Sequence, residues 1–368
     1  MGRTPQRNNN LRTRWGGWTT FLLVPGGLGM LLAKASVWIS PESFVGLAPF
    51  GLLFPVFGVL LVSGTLIRLA DGHWKSLMLP VVICILVWPE IQATWGGLQA
   101  ANLQATSEVN VAKVVSWNVR QFNRYGWLDD SEVMAKILKC IHDETPDVLC
   151  LQEAYVRTGF LTRPELWSAS GSANWHRNFG SAGDPSQHVG LATLTRHPIL
   201  KSEDMWFDND ASSNACIVTD ILIHSDTLRV FNVHFSSNRF DEADLEAVRR
   251  GPDADERARV WDRLKATWIR RALQARQVVE AVEASPYPVI LAGDFNDGPV
   301  SYATHRIRRV LRDAFSVAGT GMGSTYVGRL PMLRIDYLMA SPELVPEEFR
   351  TVDVSLSDHR PIAATFRW

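Results

Sequence analysis

Two charge-free runs constrain this chain before anything else: Trp15 to Ala33 and Ser43 to Ile67 hold no acidic or basic side chain. Each is long enough, at helical rise, to cross about 30 Å of hydrocarbon. A third run, "SLMLPVVICILVWP" from Ser76 to Pro89, is shorter and leads into Glu90. It spans if Trp74 and Trp95 mark the two interfaces and Glu90 lies near the headgroups. The expectation is a membrane anchor over 1–95 with about three transmembrane helices (15–35, 43–67 and 74–95). A small, polar linker over 96–112 and a soluble domain over 113–368 follow. A cleaved signal peptide is the alternative for the first run. No small-residue cleavage site clearly follows it and a second long run does, so an uncleaved anchor is expected.

The basic residues give an orientation. Four arginines precede the first run, Arg68 and Lys75 stand between the second and third, and the first loop carries only Lys34, offset by Glu42. Positive-inside logic puts the N-terminus and second loop in the cytoplasm, so three spans place the soluble domain outside it, at the cytoplasmic (inner) membrane. A third segment that only dips into the bilayer would leave that domain in the cytosol. Residues 1–107 carry seven basic against three acidic side chains, net +4, and the remainder is net −5. The acidic balance is not the general footprint of an avid nucleic-acid binder, although it leaves room for a local basic groove. The four cysteines, Cys84, Cys140, Cys150 and Cys216, lack metal-type spacing and read as small buried hydrophobes.

From Lys113 onward, apolar strand-like runs alternate with helical stretches. Strands are expected at 113–119, 147–153, 190–199, 215–224, 228–236, 333–341 and 360–368, and in "PYPVILAGDFNDGP" at 286–299. Helices are expected at 131–144, with Ser131 as a cap, and around 256–282. Short strands in adjacent pairs with intervening helices favour a layered α/β fold over an all-β sandwich.

The recurring feature is what closes these strands: Asn118, Glu153, His234, Asp294 with Asn296, Asp336, and Asp358-His359. Each alone has an ordinary reading. Asn118 can be a turn former, Glu153 a solvated strand end, His234 a satisfied core histidine, Asp336 a partner for Arg334, and "GDFNDGP" a turn. Six such tips in one domain point instead to phosphoester hydrolysis. A hard divalent cation takes oxygen ligands, for which Glu153 is the natural carboxylate. An attacking water needs a base, and His359 oriented by Asp336 or Asp358 fits. Asn118, Asn296, the cation and a second histidine can stabilise the charge that gathers on the phosphate oxygens.

Taken in order, "SWNV", "LQE", "NVH", "GDFN", "RIDY" and "SDH" resemble the endonuclease/exonuclease/phosphatase superfamily, metal-dependent phosphoesterases that share a fold with DNase I. "GDFN" and "SDH" are the specific pieces, and the resemblance covers about 113–368. It implies a four-layer sandwich of two mixed β-sheets flanked by helices, with the site at one edge. It assigns Glu153 to the metal, Mg²⁺ with Mn²⁺ as the alternative, with Asn118 and Asp358 close to it. Asp294 and Asn296 would handle the nucleophile and scissile phosphate, His359 would pair with Asp336, and His234 would contact the phosphate or protonate the leaving group. The histidine at 234, where some members carry tyrosine, is closer to DNase I-like and sphingomyelinase-like members than to abasic-site repair enzymes. The membrane spans resemble bacterial membrane-anchored members.

The implied function is a membrane-anchored phosphodiesterase, nuclease-like, with phosphomonoesters as a further substrate class. A phospholipid or sphingolipid headgroup phosphoesterase is the alternative, and a non-catalytic membrane scaffold a remote one. Partners are then the phosphoester substrate, nucleic acid or lipid headgroup, and the bilayer. In the 255–282 stretch, Trp261, Leu264, Trp268, Ala272, Ala275 and Val279 form an expected buried stripe. Arg257, Arg263, Arg270, Arg271 and Arg276 cover the rest as a solvated basic face, with a nucleic-acid groove or a headgroup-facing surface as alternatives. Trp175, His176, Asp184 and His188 are loop residues that can shape substrate access or simply belong to the surface.

Overall fold

In the computed structural model, which describes residues 12–97, 110–157, 161–172, 174–179, 189–207, 214–238, 250, 253–328 and 333–368, alternation along single strands sets the layering. In β1 (Val111–Asn118), Val114 faces one apolar cluster and Val115 and Trp117 another, as the two-residue side-chain period requires. The chain divides into two units, Met1–Ile91 with Val300–Tyr302 and Gln92–Pro299 with Ala303–Trp368.

In the second unit the remaining strands are β2 (Val148–Tyr155), β3 (Asn174–Phe179), β4 (Val189–Thr195), β5 (Ile199–Trp206), β6 (Ala215–Ile223) and β7 (Asp226–His234). They are followed by β8 (Val289–Asp294), β9 (Arg312–Asp313), β10 (Asp336–Ala340), β11 (Val345–Thr351) and β12 (Ile362–Arg367). Among the described residues they form two six-stranded sheets, ordered β11-β12-β1-β2-β4-β3 and β5-β6-β7-β8-β10-β9. Both are mixed, because β1–β2 and β7–β8 pair in parallel within otherwise antiparallel surroundings.

Val114, Val148 and Cys150 of the first sheet meet Ile221, Val230, Ile290 and Leu338 of the second to make the central core. On the far side of the first sheet, Val115, Leu149 and Leu151 pack on Ile137 and Ile141 of the Val133–Glu144 helix. On the far side of the second, Phe231, Val233, Leu291 and Met339 pack on Val278, Val279 and Val282 of the Ala254–Glu283 helix. The result is the expected four-layer sandwich of helices, sheet, sheet and helix. Each fully buried Val, Leu or Ile contributes about 1.5–3 kcal/mol. A polar link crosses the central core: Gln152 donates to Asn232 Oδ1 at 2.8 Å, and Asn232 donates to the carbonyls of Leu151 and Ala192.

Several local expectations change. Trp175 and His176 form part of β3, where His176 bridges Thr219 and Asp204 at 2.9 Å each. Asp184 and His188 lie outside the described residues. Ser131 does not cap the helix, which begins at Val133 after Glu132 without a side-chain cap bond. β5 escapes the apolar pattern because most of its side chains are exposed. On the long helix Trp268, Ala272, Ala275 and Val279 are buried as expected, Trp261 is 39% exposed, and the buried face widens to take in Thr267, Arg271, Gln274 and Val278. Cys150 and Cys216 are buried, Cys84 and Cys140 half-buried, and all four are free thiols.

In the first unit, Trp18–Trp38 is a helix long and apolar enough to cross a membrane. The other two expected spans are broken. Pro41–Leu52 meets Phe54–Ala70 at 51°, and Trp74–Leu86 meets Trp88–Trp95 at 71°. Pro55 and Pro89 open the second half of each pair, where a proline is tolerated but cannot continue the preceding helix. The described residues thus hold one candidate span, or three if each bent pair acts as one. Lys34 lies inside the first helix, not in a loop, and donates to both oxygens of buried Glu90 at 3.1 Å.

Candidate active site

Strand register delivers the polar tips to one place. His234 ends β7 directly beside Asp294 at the end of parallel β8, and Asp336 opens β10 directly opposite the same Asp294. Gly293 sits one step earlier at φ +146°, and a Cβ there would overlap the Val233 carbonyl, so glycine is what lets β7 and β8 approach. Asn118 closes β1 opposite Gln152 of β2. Beyond Leu151 the β2–β4 register shifts, and Glu153 takes φ +49°. This bulge aims the carboxylate out of the strand alternation, a device common beside active sites.

Asp294 is the hub and is 1% exposed. Its Oδ1 accepts from the Asn296 backbone N–H at 2.8 Å. Its Oδ2 accepts from the carboxamide Nδ2 of Asn118 at 3.1 Å and of Asn296 at 3.2 Å. The Nε2 atoms of His234 and His359 stand 3.6 and 3.7 Å from that same oxygen. Asn296, at φ +52°, also donates to the Phe235 carbonyl, tying the turn to the end of β7. His359 Nδ1 lies 2.9 Å from Asp336 Oδ2. Arg334, the alternative partner for Asp336, instead forks onto Asp313 at 2.7 and 3.2 Å. Asp336 is thereby left to the imidazole.

The electrostatics follow from burial and neighbours. Burial alone pushes His359 down, but Asp336 and Asp294 beside it hold the imidazole well above the ordinary histidine range. Burial raises the Asp294 carboxyl, with Asp336 adding to the effect and the two imidazoles opposing it. His234 Nε2 is buried without a hydrogen-bond partner among the described residues, an unmet donor or acceptor in the middle of the cluster.

Asp294, Asp336 and His359 each bring a metal-capable atom within 4.8 Å of the others. His359 is committed to Asp336 and favours its protonated form, so this trio works better as a proton-sharing array than as a cation cage. Glu153 fits a hard divalent cation better. Its side chain is 30% exposed, and among the described residues Oε1 receives only a long 3.3 Å bond from Asn118 and lies 3.9 Å from His234 Nε2. Asp358, expected near the metal, stands 3.4 Å from Arg120 Nε and accepts from Ser357 Oγ at 3.2 Å. Ser357 also donates to the Asn118 carbonyl, which links this loop to β1.

All eight expected residues therefore belong to one contact network. Sequence reasoning missed its supports: Arg120 on Asp358, Trp117 donating to the His359 carbonyl, and Arg271 and Gln274 holding Ser236 just past His234. For the last pair the available signal was their spacing of three on one helix, next to Ala275 and Val278.

The sequence profile of the Endonuclease/Exonuclease/phosphatase family matches residues 115–359, about two thirds of the chain. The chain belongs to this family and is a phosphoester hydrolase. No curated protein sequence matches it. Among solved structures, it is similar to an endonuclease/exonuclease/phosphatase from Beutenbergia cavernae, with 19% identity and a TM-score of 0.51 over 70% of this chain and 72% of that one. A Bacteroides vulgatus member gives 19% and 0.50 over 70% and 98%. D. rerio TDP2 complexed with a single-strand DNA product gives 17% and 0.50 over 70% and 98%. At these identities the likeness shows the fold.

Proposed function

We propose that the chain is a membrane-tethered, divalent-cation-dependent phosphodiesterase of nuclease type, with its catalytic domain over 113–368 and its anchor over 1–95. The observation that carries the chemistry is a buried carboxylate, Asp294, faced by two imidazole Nε2 atoms and two carboxamide donors. Glu153, with Asn118 beside it and Asp358 as a further carboxylate, would hold the cation, Mg²⁺ or Mn²⁺, and the cation would supply Lewis-acid polarisation of the phosphate.

The protein's own groups do the rest. The attacking water gives its proton to Asp294, whose carboxyl burial holds above the ordinary carboxylate range. Asn118 and Asn296 hold that carboxylate in one orientation, and the second N–H of Asn118, held only by the long 3.3 Å bond to Glu153, is the donor offered to a phosphate oxygen. His359, kept cationic by Asp336, faces the developing negative charge, an electrostatic role in place of the base suggested by sequence alone. His234 donates from Nε2 to the departing oxygen. DNA in a structural neighbour supports a nucleic-acid substrate. The apolar Trp18–Trp38 helix supports tethering and keeps a lipid headgroup substrate as a second reading. With each bent pair acting as one span, the distribution of basic residues puts the domain outside the cytoplasm.

The test is hydrolysis of bis(p-nitrophenyl) phosphate by the full-length protein in detergent with Mg²⁺ or Mn²⁺. Turnover abolished by chelator and by Asp294→Asn is expected, and no turnover with either cation overturns the reading. Oligonucleotide against phospholipid vesicle as substrate separates nuclease from lipid phosphodiesterase.

A further inference from the structure

We propose that a groove along the Ala254–Glu283 helix holds the phosphates of a polynucleotide strand beyond the scissile one. This rests on the phosphodiesterase reading above and names its substrate class. Arg259, Arg263 and Arg270 line an open groove of about 520 Å³ together with Ser237, Asn238 and Thr267. Among the described lining residues Asp262 is the single acid against three arginines, within a domain that is net negative. At spacings of four and seven residues the three arginines follow one helical face over about 16 Å. That length matches several nucleotides, since duplex phosphates recur roughly every 3.4 Å along one strand.

The groove is fixed to the reacting centre. Ser237 is three residues past His234, so its backbone lies at most about 11 Å away. Arg271, next to Arg270, is 2% exposed and donates from Nε to the Ser236 carbonyl at 2.7 Å and from Nη2 to Asn238 Oδ1 at 2.6 Å. Gln274 accepts from Ser236 N–H at 3.0 Å and donates to its Oγ at 2.9 Å. On its other side, Arg271 Nη1 stands 3.6 Å from Asp297 Oδ1, in the turn that carries Asp294 and Asn296. One buried guanidinium thus ties the groove floor, the exit of the histidine strand and the aspartate turn together. A concave cationic line continuous with the catalytic strand suits a flexible polyanion, whereas a bilayer surface calls for an outward-facing patch.

The experiment compares KM for a single-stranded oligonucleotide and for bis(p-nitrophenyl) phosphate, which carries no flanking phosphate, in full-length wild type and in Arg259→Ala/Arg270→Ala. The expected result is an oligonucleotide KM that rises at least tenfold more than the aryl diester KM. The slope of log KM against log salt should also fall by about 0.7 per lost contact. Equal changes for both substrates, or an unchanged oligonucleotide KM with lost binding to anionic vesicles, overturn the proposal. If wild type hydrolyses neither substrate, the catalytic reading fails by itself. The groove is then judged by fluorescence anisotropy with the same oligonucleotide, where salt-sensitive binding weakened in the double variant supports it and equal binding overturns it.

Discussion

Arg271 Nε donates to the Ser236 carbonyl at 2.7 Å while the arginine is 2% exposed, so a charge from the long helix is consumed in fixing the strand that ends in His234. Removing it leaves the Ser236 carbonyl and Asn238 without their donor. Arg271→Ala is expected to destabilise the domain by about 3–5 kcal/mol, as for breaking a buried charged contact. Arg271→Lys keeps the charge without the fork, and should lower kcat on the aryl diester while leaving the protein folded. Thermal unfolding alongside steady-state kinetics reads both, and wild-type kcat in Arg271→Lys would remove its positioning role.

Asp294→Asn keeps the shape and most hydrogen bonds of the hub while deleting the proton acceptor. Its kcat should fall by about 10²–10⁴-fold in a protein that still folds, with a lowered unfolding temperature because the new NH2 faces an N–H donor at either position. Wild-type turnover would assign the base elsewhere.

Glu153→Gln tests the cation site separately. The Mg²⁺ concentration for half-maximal activity should rise by at least about tenfold, because the most exposed carboxylate of the cluster has lost its charge. A cation dependence identical to wild type would place the metal on other residues.

The His359–Asp336 pair has a stability signature with pH. The folded-state pKa of His359 is raised above its ordinary value near 6.5, with burial opposing and Asp336 and Asp294 driving the shift. Its stabilisation is therefore fully present below about pH 6.5 and is lost as pH climbs through the raised folded value. Asp336→Asn should cost about 3 kcal/mol on the acid side of that window and less at alkaline pH. Chemical unfolding of both proteins at pH 6 and pH 9 checks it, and a pH-independent difference would mean the pair is not charged.

Gly293→Ala should destabilise by about 3 kcal/mol or prevent folding, since φ +146° and the Val233 carbonyl both exclude a Cβ. An Ala variant of wild-type stability would show that β7 and β8 can separate without loss.

Much was legible from local pattern alone. The strands at 113–119, 147–153 and 215–224 announced themselves by apolar runs, and the residues closing them by chemical type. β5 was invisible because its face is exposed, and β9 because two residues make no period. Arg271 looked like surface because a helical wheel gives a residue's angle without saying what covers it.

The amino-acid sequence by itself determined the division between apolar segments and a layered α/β domain, and the eight polar side chains at the strand tips, whose order carried the resemblance that implies the four-layer class. The division and the tips depend on composition and short-range periodicity. Only the tertiary structure decided that Arg334 turns to Asp313, leaving Asp336 to His359 as the resemblance implies, that Lys34 meets Glu90, and that Arg271 braces the exit from His234. Those choices depend on strand register and on contacts between residues as far apart as Trp117 and His359, 242 positions along the chain. No local period encodes such a pairing, because it is set by which packed arrangement of whole sheets and helices satisfies every buried polar group at once.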